Sequence, residues 1–144
     1  MIGPFADRAS RWRLAGLAFV FLWFFIGGIA HFAATDLEMR IVPPWIPQAR
    51  AAVLVSGVLE LVGALALWPR STRGAAGWLL VAVTLAVTPA NVWMLQNAGA
   101  WDVPRWLLIA RLPAQVALLA LIVWSTRPPA AAARPARRAS SPRP

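Results

Sequence analysis

Two ionisable side chains lie where a membrane-spanning helix normally carries none. Glu60 is at the middle of the apolar stretch 51–68, and Arg111 is inside the apolar stretch 106–124. A charge near the centre of a bilayer costs about 2.5–3.5 kcal/mol on insertion scales, so it normally faces protein or trapped water. Because the two charges have opposite signs, we expect Glu60 and Arg111 to pair inside the protein. The alternative is that Glu60 is a hydrogen-bonding anchor for helix packing.

Three further polar residues accompany these charges. His31 ends the first apolar stretch, Asn91 ends the third, and Gln115 lies one helical turn after Arg111. Helices that each contribute a polar group to the same half of a membrane define a bundle with a pocket open to that side. In such a pocket, His31 and Asn91 would hydrogen-bond a carbonyl-bearing ligand, and Glu60 would set the charge or relay a proton. Polar residues that only hold helices together are the alternative.

The sequence contains no signature of catalysis or metal binding. There is no Ser–His–Asp spacing, phosphate loop or nucleotide fingerprint. One histidine, one carboxylate and one amide beside an arginine are a poor set of metal ligands, so we predict no metal. There is no cysteine, which excludes a disulfide and thiol chemistry. We therefore expect no catalysis by the chain itself, and any redox role would need a diffusing molecule or a partner protein.

Long apolar stretches must position these residues. The 144 residues are 60% hydrophobic and only 13% charged, whereas soluble domains are about 25% charged. We predict an all-α fold, an integral membrane four-helix bundle formed by residues 14–124. Each stretch is close to the 20 or so residues that cross a bilayer. The predicted spans are 14–33, 51–68, 75–95 and 106–124. A cleaved signal peptide is the competing interpretation of the first span.

Glycines and prolines mark the close contacts and breaks. Gly57 lies one turn before Glu60, and Gly27 and Gly28 lie one turn before His31, so both helix faces can pack closely. Pro89 has no N–H for the carbonyl of Leu85 and should kink the third helix or free that carbonyl. Between the first two spans, prolines forbid a regular helix and predict a stiff surface loop that caps the bundle. These prolines are Pro43, Pro44 and Pro47.

The arginines predict the orientation. All 14 basic residues are arginine, and the net charge is +9. Ten lie in the N-terminal segment 1–13, the turn 69–74 and the tail 125–144, and three lie in the loops on the opposite side. The positive-inside rule then places both termini in the cytoplasm. The tail is rich in proline and arginine without large apolar residues, and we predict that it is disordered. In a membrane protein this charge does not indicate nucleic-acid binding.

Four short motifs together resemble the DoxX-like family of small bacterial membrane proteins. They are Gly28-Ile29-Ala30-His31-Phe32, Val42-Pro43-Pro44 with Pro47, Ser56-Gly57-Val58-Leu59-Glu60, and Thr88-Pro89-Ala90-Asn91. The resemblance covers about residues 14–124. It implies a four-helix membrane protein of the bacterial inner membrane, and some relatives are associated with quinone-linked sulfur oxidation or thiol and oxidative-stress complexes. The absent cysteines speak against direct thiol chemistry in this chain.

Three functions remain open on the sequence. The first is an accessory or ligand-binding membrane subunit of a redox-associated system, with a quinone as the candidate ligand and a redox protein or a second copy as the candidate partner. The second is a small proton-coupled exporter in which Glu60 binds either a proton or a cationic substrate. Arg111 argues against the exporter, because a fixed cation in the pocket would repel such a substrate. The third is a purely structural membrane protein whose only partner is the lipid bilayer.

Overall fold

The computed structural model describes residues 4–127, with side chains from residue 11 onward, and the regular structure in this part of the chain is helical. A short 3-10 helix, Ala98–Ala100, lies in the last connection. The helices are α1 (Pro4–Ala33), α2 (Thr35–Ile41), α3 (Ala49–Ala66), α4 (Arg73–Ala86), α5 (Thr88–Gln96) and α6 (Arg105–Thr126). The predicted disorder of residues 128–144 lies outside the described residues.

Four segments are long and apolar enough to cross a membrane. They are Arg11–Ala33, Ala49–Ala66, Arg73–Gln96 and Arg105–Thr126. Each one overlaps a predicted span, so the prediction of an all-α chain with four such segments is confirmed. Two boundaries differ: α1 begins at Pro4, inside the predicted polar N-terminal segment, and α6 continues through Thr126. Ser125 and Thr126, predicted to begin the tail, are buried side chains of α6.

The long helices form a ring of four. Helix α1 packs against α3 and α6, and α4 packs against the same two neighbours. Helices α3 and α6 therefore occupy opposite corners of the bundle. A buried apolar cluster lies where the four helices meet. It consists of Val20, Phe24, Ala64, Leu67, Ala76, Leu80 and Ile122.

The break predicted at Pro89 is present. Helix α4 ends at Ala86, and α5 begins at Thr88 with proline in its first turn. The amides of Ala90 and Asn91 both donate to the carbonyl of Val87, at 3.1 and 3.2 Å. The interruption follows from the missing proline N–H, and it leaves backbone carbonyls of α4 available to side chains from other helices.

The connection between α1 and α3 contains a helix that was not predicted. Helix α2 carries Asp36 and Glu38 in its first turn and Arg40 in its last, the charge order that the helix dipole favours. The proline segment then turns, with the amide of Ile46 donating to the carbonyl of Pro43 at 3.0 Å. Pro43 is fully buried, whereas Pro44 is exposed. The buried proline holds this connection against the bundle, as the prediction of a capping loop requires.

Candidate functional site

The site begins at a close crossing of α1 and α3. A methyl group at Gly57 would lie 2.7 Å from Cβ of His31 and 3.2 Å from the carbonyl oxygen of Gly28. A methyl group at Gly28 would lie 2.8 Å from Cγ of Leu61 and 3.1 Å from the carbonyl oxygen of Gly57. Only glycine leaves room for two backbones at this separation. The two glycines named from the sequence therefore face each other and bring the helices together at the level of His31.

This crossing pairs His31 with Glu60. Nε2 of His31 lies 3.4 Å from Oε1 of Glu60, and the two side chains are only 14% and 11% exposed. Gly27 makes room for the carboxylate, because a methyl group there would lie 2.9 Å from Oε2. The other ring nitrogen of His31, Nδ1, is buried without a partner among the described residues. The crossing therefore brings two ionisable side chains into contact inside the bundle.

A cavity of about 840 Å³ adjoins the pair. Its walls come from α1, α3 and the α4–α5 break, and α2 with the proline segment closes one end. Most of the lining is apolar, and the volume lies within the range of ligand sites in proteins. On the α1 side the lining includes Leu22, Trp23 and Ile26, which are 52%, 54% and 63% exposed. The cavity is therefore open on its α1 side.

The polar lining of the cavity includes two carboxylates, which are hydrogen-bond acceptors. Glu38 and Glu60 contribute carboxylates, and no arginine lies among the described lining residues. The hydroxyl of Ser56 donates to the carbonyl of Val53 at 2.8 Å, so its oxygen remains as an acceptor. Nε2 of His31 lies 3.4 Å from Oε1 of Glu60, and Asn91 completes the polar lining.

The hydrogen bonds of Gln115 fix the orientation of the Asn91 side-chain amide. Nε2 of Gln115 donates to the carbonyl of Thr84 at 2.9 Å and to the hydroxyl of Thr88 at 2.6 Å. A backbone carbonyl can only accept, so the Gln115 oxygen must be turned toward Asn91. That oxygen accepts from Nδ2 of Asn91 at 2.7 Å. This bond uses one of the two N–H groups of the Asn91 amide, so the second N–H and the carbonyl oxygen are not used by Gln115.

The predicted set of five pocket residues divides in two. His31, Glu60 and Asn91 line the cavity, whereas Gln115 and Arg111 do not. Gln115 is a clamp that joins α6 to the α4–α5 break. The predicted pair of Glu60 with Arg111 is wrong, because the helices that carry the two residues occupy opposite corners of the bundle.

Arg111 is directed away from the cavity. It is exposed, and its Nη1 lies 2.8 Å from Sδ of Met94 on α5. A long basic side chain lowers its burial cost in this way by keeping its head at the protein surface.

Two functional features were missed from the sequence. Glu38 lies in the segment read as a loop, and its place in the cavity wall depends on helix α2. Gly27 was named with Gly28 as a packing residue, but its contact with Glu60 depends on the angle at which α1 crosses α3. A helical reading of residues 35–41 from their charge order would have found the first of these.

Comparison with known proteins gives a family without an assigned activity. No curated protein and no solved structure matches the chain. Residues 18–127, which include every helix that lines the cavity, match a family described as a domain of unknown function, DUF8561. The chain belongs to the DUF8561 family.

Proposed function

We propose that this chain is an integral membrane protein that binds a lipid-soluble ligand whose polar end donates hydrogen bonds or carries positive charge. The observation that carries the proposal is the cavity lining. It presents two carboxylates, Glu38 and Glu60, and no arginine among the described residues. A ligand that brings donors or a positive charge satisfies these groups, whereas a ligand that brings only acceptors leaves them unpaired, at about 1–3 kcal/mol for each buried group.

Membrane insertion supplies the ligand's route. Four segments have the length and apolarity of membrane spans, and the cavity is open beside the exposed side chains of Trp23 and Ile26. In a bilayer these side chains face the acyl chains, so a hydrophobic molecule enters the cavity sideways without crossing water. The carboxylates of Glu38 and Glu60 line the same cavity and determine which polar head group is retained.

The arginine asymmetry places both termini in the cytoplasm and the cavity toward the outer side. A reporter that is active only outside the cytoplasm, fused after the last residue, should be silent. The same reporter inserted at Gly99, in the α5–α6 connection, should be active. The opposite pattern would reverse the orientation and place the cavity toward the cytoplasm.

Proton-coupled movement of a cationic ligand is a second candidate function. The argument against it was a fixed cation in the pocket, and the structure places Arg111 outside the cavity lining. Glu60 can then pair either with protonated His31 or with an incoming cation, and release of the proton from His31 accompanies the exchange. This exchange is the chemistry that a proton-coupled exporter requires.

The redox-associated function remains a prediction from the DoxX-like resemblance, as do a redox protein partner and location in a bacterial inner membrane. For a quinone ligand, the lining makes a specific distinction. A hydroquinone offers two hydroxyl donors, whereas a quinone offers two carbonyl acceptors. The carboxylates of Glu38 and Glu60 accept hydrogen bonds, so the lining favours the reduced form.

Three probes with twelve carbons each test the proposal: dodecylammonium, dodecanol and 2-dodecanone. Binding to the purified full chain is measured by native mass spectrometry. We expect dodecylammonium to bind most tightly and 2-dodecanone at least about ten-fold more weakly, because a hydrogen bond to a charged group contributes about 1.5–3 kcal/mol. Glu60→Gln should remove most of this preference. Asp102→Asn is the matched control, because Asp102 is exposed and outside the cavity lining. Equal or tighter binding of the ketone would overturn the proposal.

A further inference from the structure

A second, shallower groove of about 710 Å³ runs along the outside of α6, far from the cavity. Its apolar strip comes from one face of α6, at Val116, Leu119, Val123 and Trp124. Its polar end is formed by Arg13 of α1 and by Arg127, the residue that follows α6. None of its lining residues is shared with the cavity.

The polar end is strongly basic. No carboxylate lies among the described residues that line the groove, and neither arginine forms an ion pair with an acidic residue in the part of the chain that the structure describes. The guanidinium of Arg13 lies 5.6 Å from the ring centre of Trp124, and that of Arg127 lies 5.8 Å from the ring centre of Trp78. Arg13 also donates through Nη1 to the carbonyl oxygen of Arg127. Both arginines line the same end of the groove, and these contacts do not neutralise their charges.

Helices pack closely beside both arginines of this groove. A methyl group at Gly16 would lie 3.0 Å from Cζ3 of Trp124, so α1 approaches α6 closely beside Arg13. A methyl group at Gly77 would lie 2.5 Å from Oγ1 of Thr126, so α4 approaches α6 closely beside Arg127. The two arginines therefore project from a rigid corner, which reduces the entropy lost when they bind a ligand.

We propose that this groove binds one anionic phospholipid, with its phosphate between Arg13 and Arg127 and an acyl chain along the strip of α6. Guanidinium groups bind phosphate oxygens through paired hydrogen bonds, and basic pockets between membrane helices bind anionic lipid head groups. The strip from Val116 to Trp124 is about 12 Å long, so it lies within one leaflet of a hydrocarbon core about 30 Å thick. Charge and length therefore match one lipid, whose head lies at the basic end.

The test is lipid retention by the purified full chain after incorporation into nanodiscs of equimolar phosphatidylglycerol and phosphatidylcholine. Native mass spectrometry counts the lipids that remain bound. We expect one phosphatidylglycerol to be retained in preference to phosphatidylcholine. Arg13→Gln and Arg127→Gln should each reduce the preference about five-fold, the contribution of one basic residue near an anionic membrane surface. Arg105→Gln, at the other end of the same helix and exposed, is the control and should leave it unchanged.

A salt titration of the unmodified chain keeps the test independent of how the variants fold. The preference should fall as added salt screens the head-group contacts. Equal retention of both lipids, or an equal loss with Arg105→Gln, would overturn the proposal. Competition by inorganic phosphate as strong as that by phosphatidylglycerol would also overturn it, because the site would then take a free anion. A dimer that retains no lipid would show that a second copy fills the groove.

Discussion

The bundle contains two interhelical polar clusters with opposite properties. Between α1 and α3, His31 and Glu60 share one contact of 3.4 Å, and Nδ1 of the histidine has no partner among the described residues. Between the α4–α5 break and α6, Gln115 uses its nitrogen for two hydrogen bonds and its oxygen for a third. The first cluster borders a cavity and keeps unused hydrogen-bonding capacity, and we call it the open cluster. The second cluster has nearly all its hydrogen-bonding groups paired, and we call it the saturated cluster.

This difference separates a binding role from a structural one. Buried polar groups are normally satisfied within the protein, and those that are not are candidates for contact with a ligand. Gln115 was predicted from the sequence to be a pocket residue, yet its hydrogen bonds join α6 to the break between α4 and α5. Asn91 belongs to both clusters, because its nitrogen donates to Gln115 and its side chain lines the cavity. The clamp therefore orients one polar side chain of the cavity lining, that of Asn91.

The largest expected effect is at the crossing that creates the open cluster. Gly57→Ala places a methyl group 2.7 Å from Cβ of His31, and we expect it to destabilise the bundle by about 3 kcal/mol, since overpacking a tight contact forces backbone shifts. It should also weaken ligand binding by moving His31 from Glu60. The matched control is Gly74→Ala, which meets no atom within 4 Å. Thermal melting in detergent measures both, and equal melting temperatures would show that the crossing is not tight.

The saturated cluster should be next in size. Gln115→Ala removes three interhelical hydrogen bonds and leaves the Asn91 amide and the Thr84 carbonyl short of partners. We expect a loss of about 2 kcal/mol in stability, since each such bond contributes roughly 0.6 kcal/mol on average in membrane proteins. Gln96→Ala, at the exposed end of α5, is the control. No loss of stability for Gln115→Ala would contradict the structural role of the clamp.

The expected coupling energy between His31 and Glu60 in the open cluster is smaller than these losses of stability. A double-mutant cycle of His31→Asn and Glu60→Gln should give a coupling energy of about 1 kcal/mol, because the two side chains are in direct contact. The single Glu60→Gln change should affect stability less than Gln115→Ala but affect dodecylammonium binding more. If Glu60→Gln cost more stability and Gln115→Ala weakened dodecylammonium binding more, the open cluster would be the structural one and the saturated cluster the binding one.

The smallest effect belongs to Arg111. Because it is exposed and lies outside both clusters, Arg111→Gln should change stability by less than about 0.5 kcal/mol. The cycle of Arg111→Gln with Glu60→Gln should be additive within about 0.5 kcal/mol. A large coupling in this second cycle would support the ion pair of Glu60 with Arg111 that was expected from the sequence. It would contradict the pairing of Glu60 with His31.

Much of the architecture could be predicted from the sequence. The four apolar stretches were found because a membrane span leaves a long, continuous composition signal, and the Pro89 break was found because a missing N–H acts within one helical turn. Gly28 and Gly57 were also identified correctly, since small residues one turn from a polar residue mark a packing face. Helix α2 was missed because the prolines that follow it outweighed its weaker charge signal.

The partners of the polar residues could not be predicted in the same way. The sequence by itself determined which helices exist and which polar residues lie within them, because hydrophobicity and backbone restriction act over a few neighbouring residues. Only the tertiary structure decided that Glu60 meets His31 and not Arg111, and that Gln115 closes a break instead of lining a pocket. Those choices depend on which helices are neighbours in the ring and how each is rotated about its axis. Both are set by packing among all four helices together, and opposite charges on helices at opposite corners do not meet.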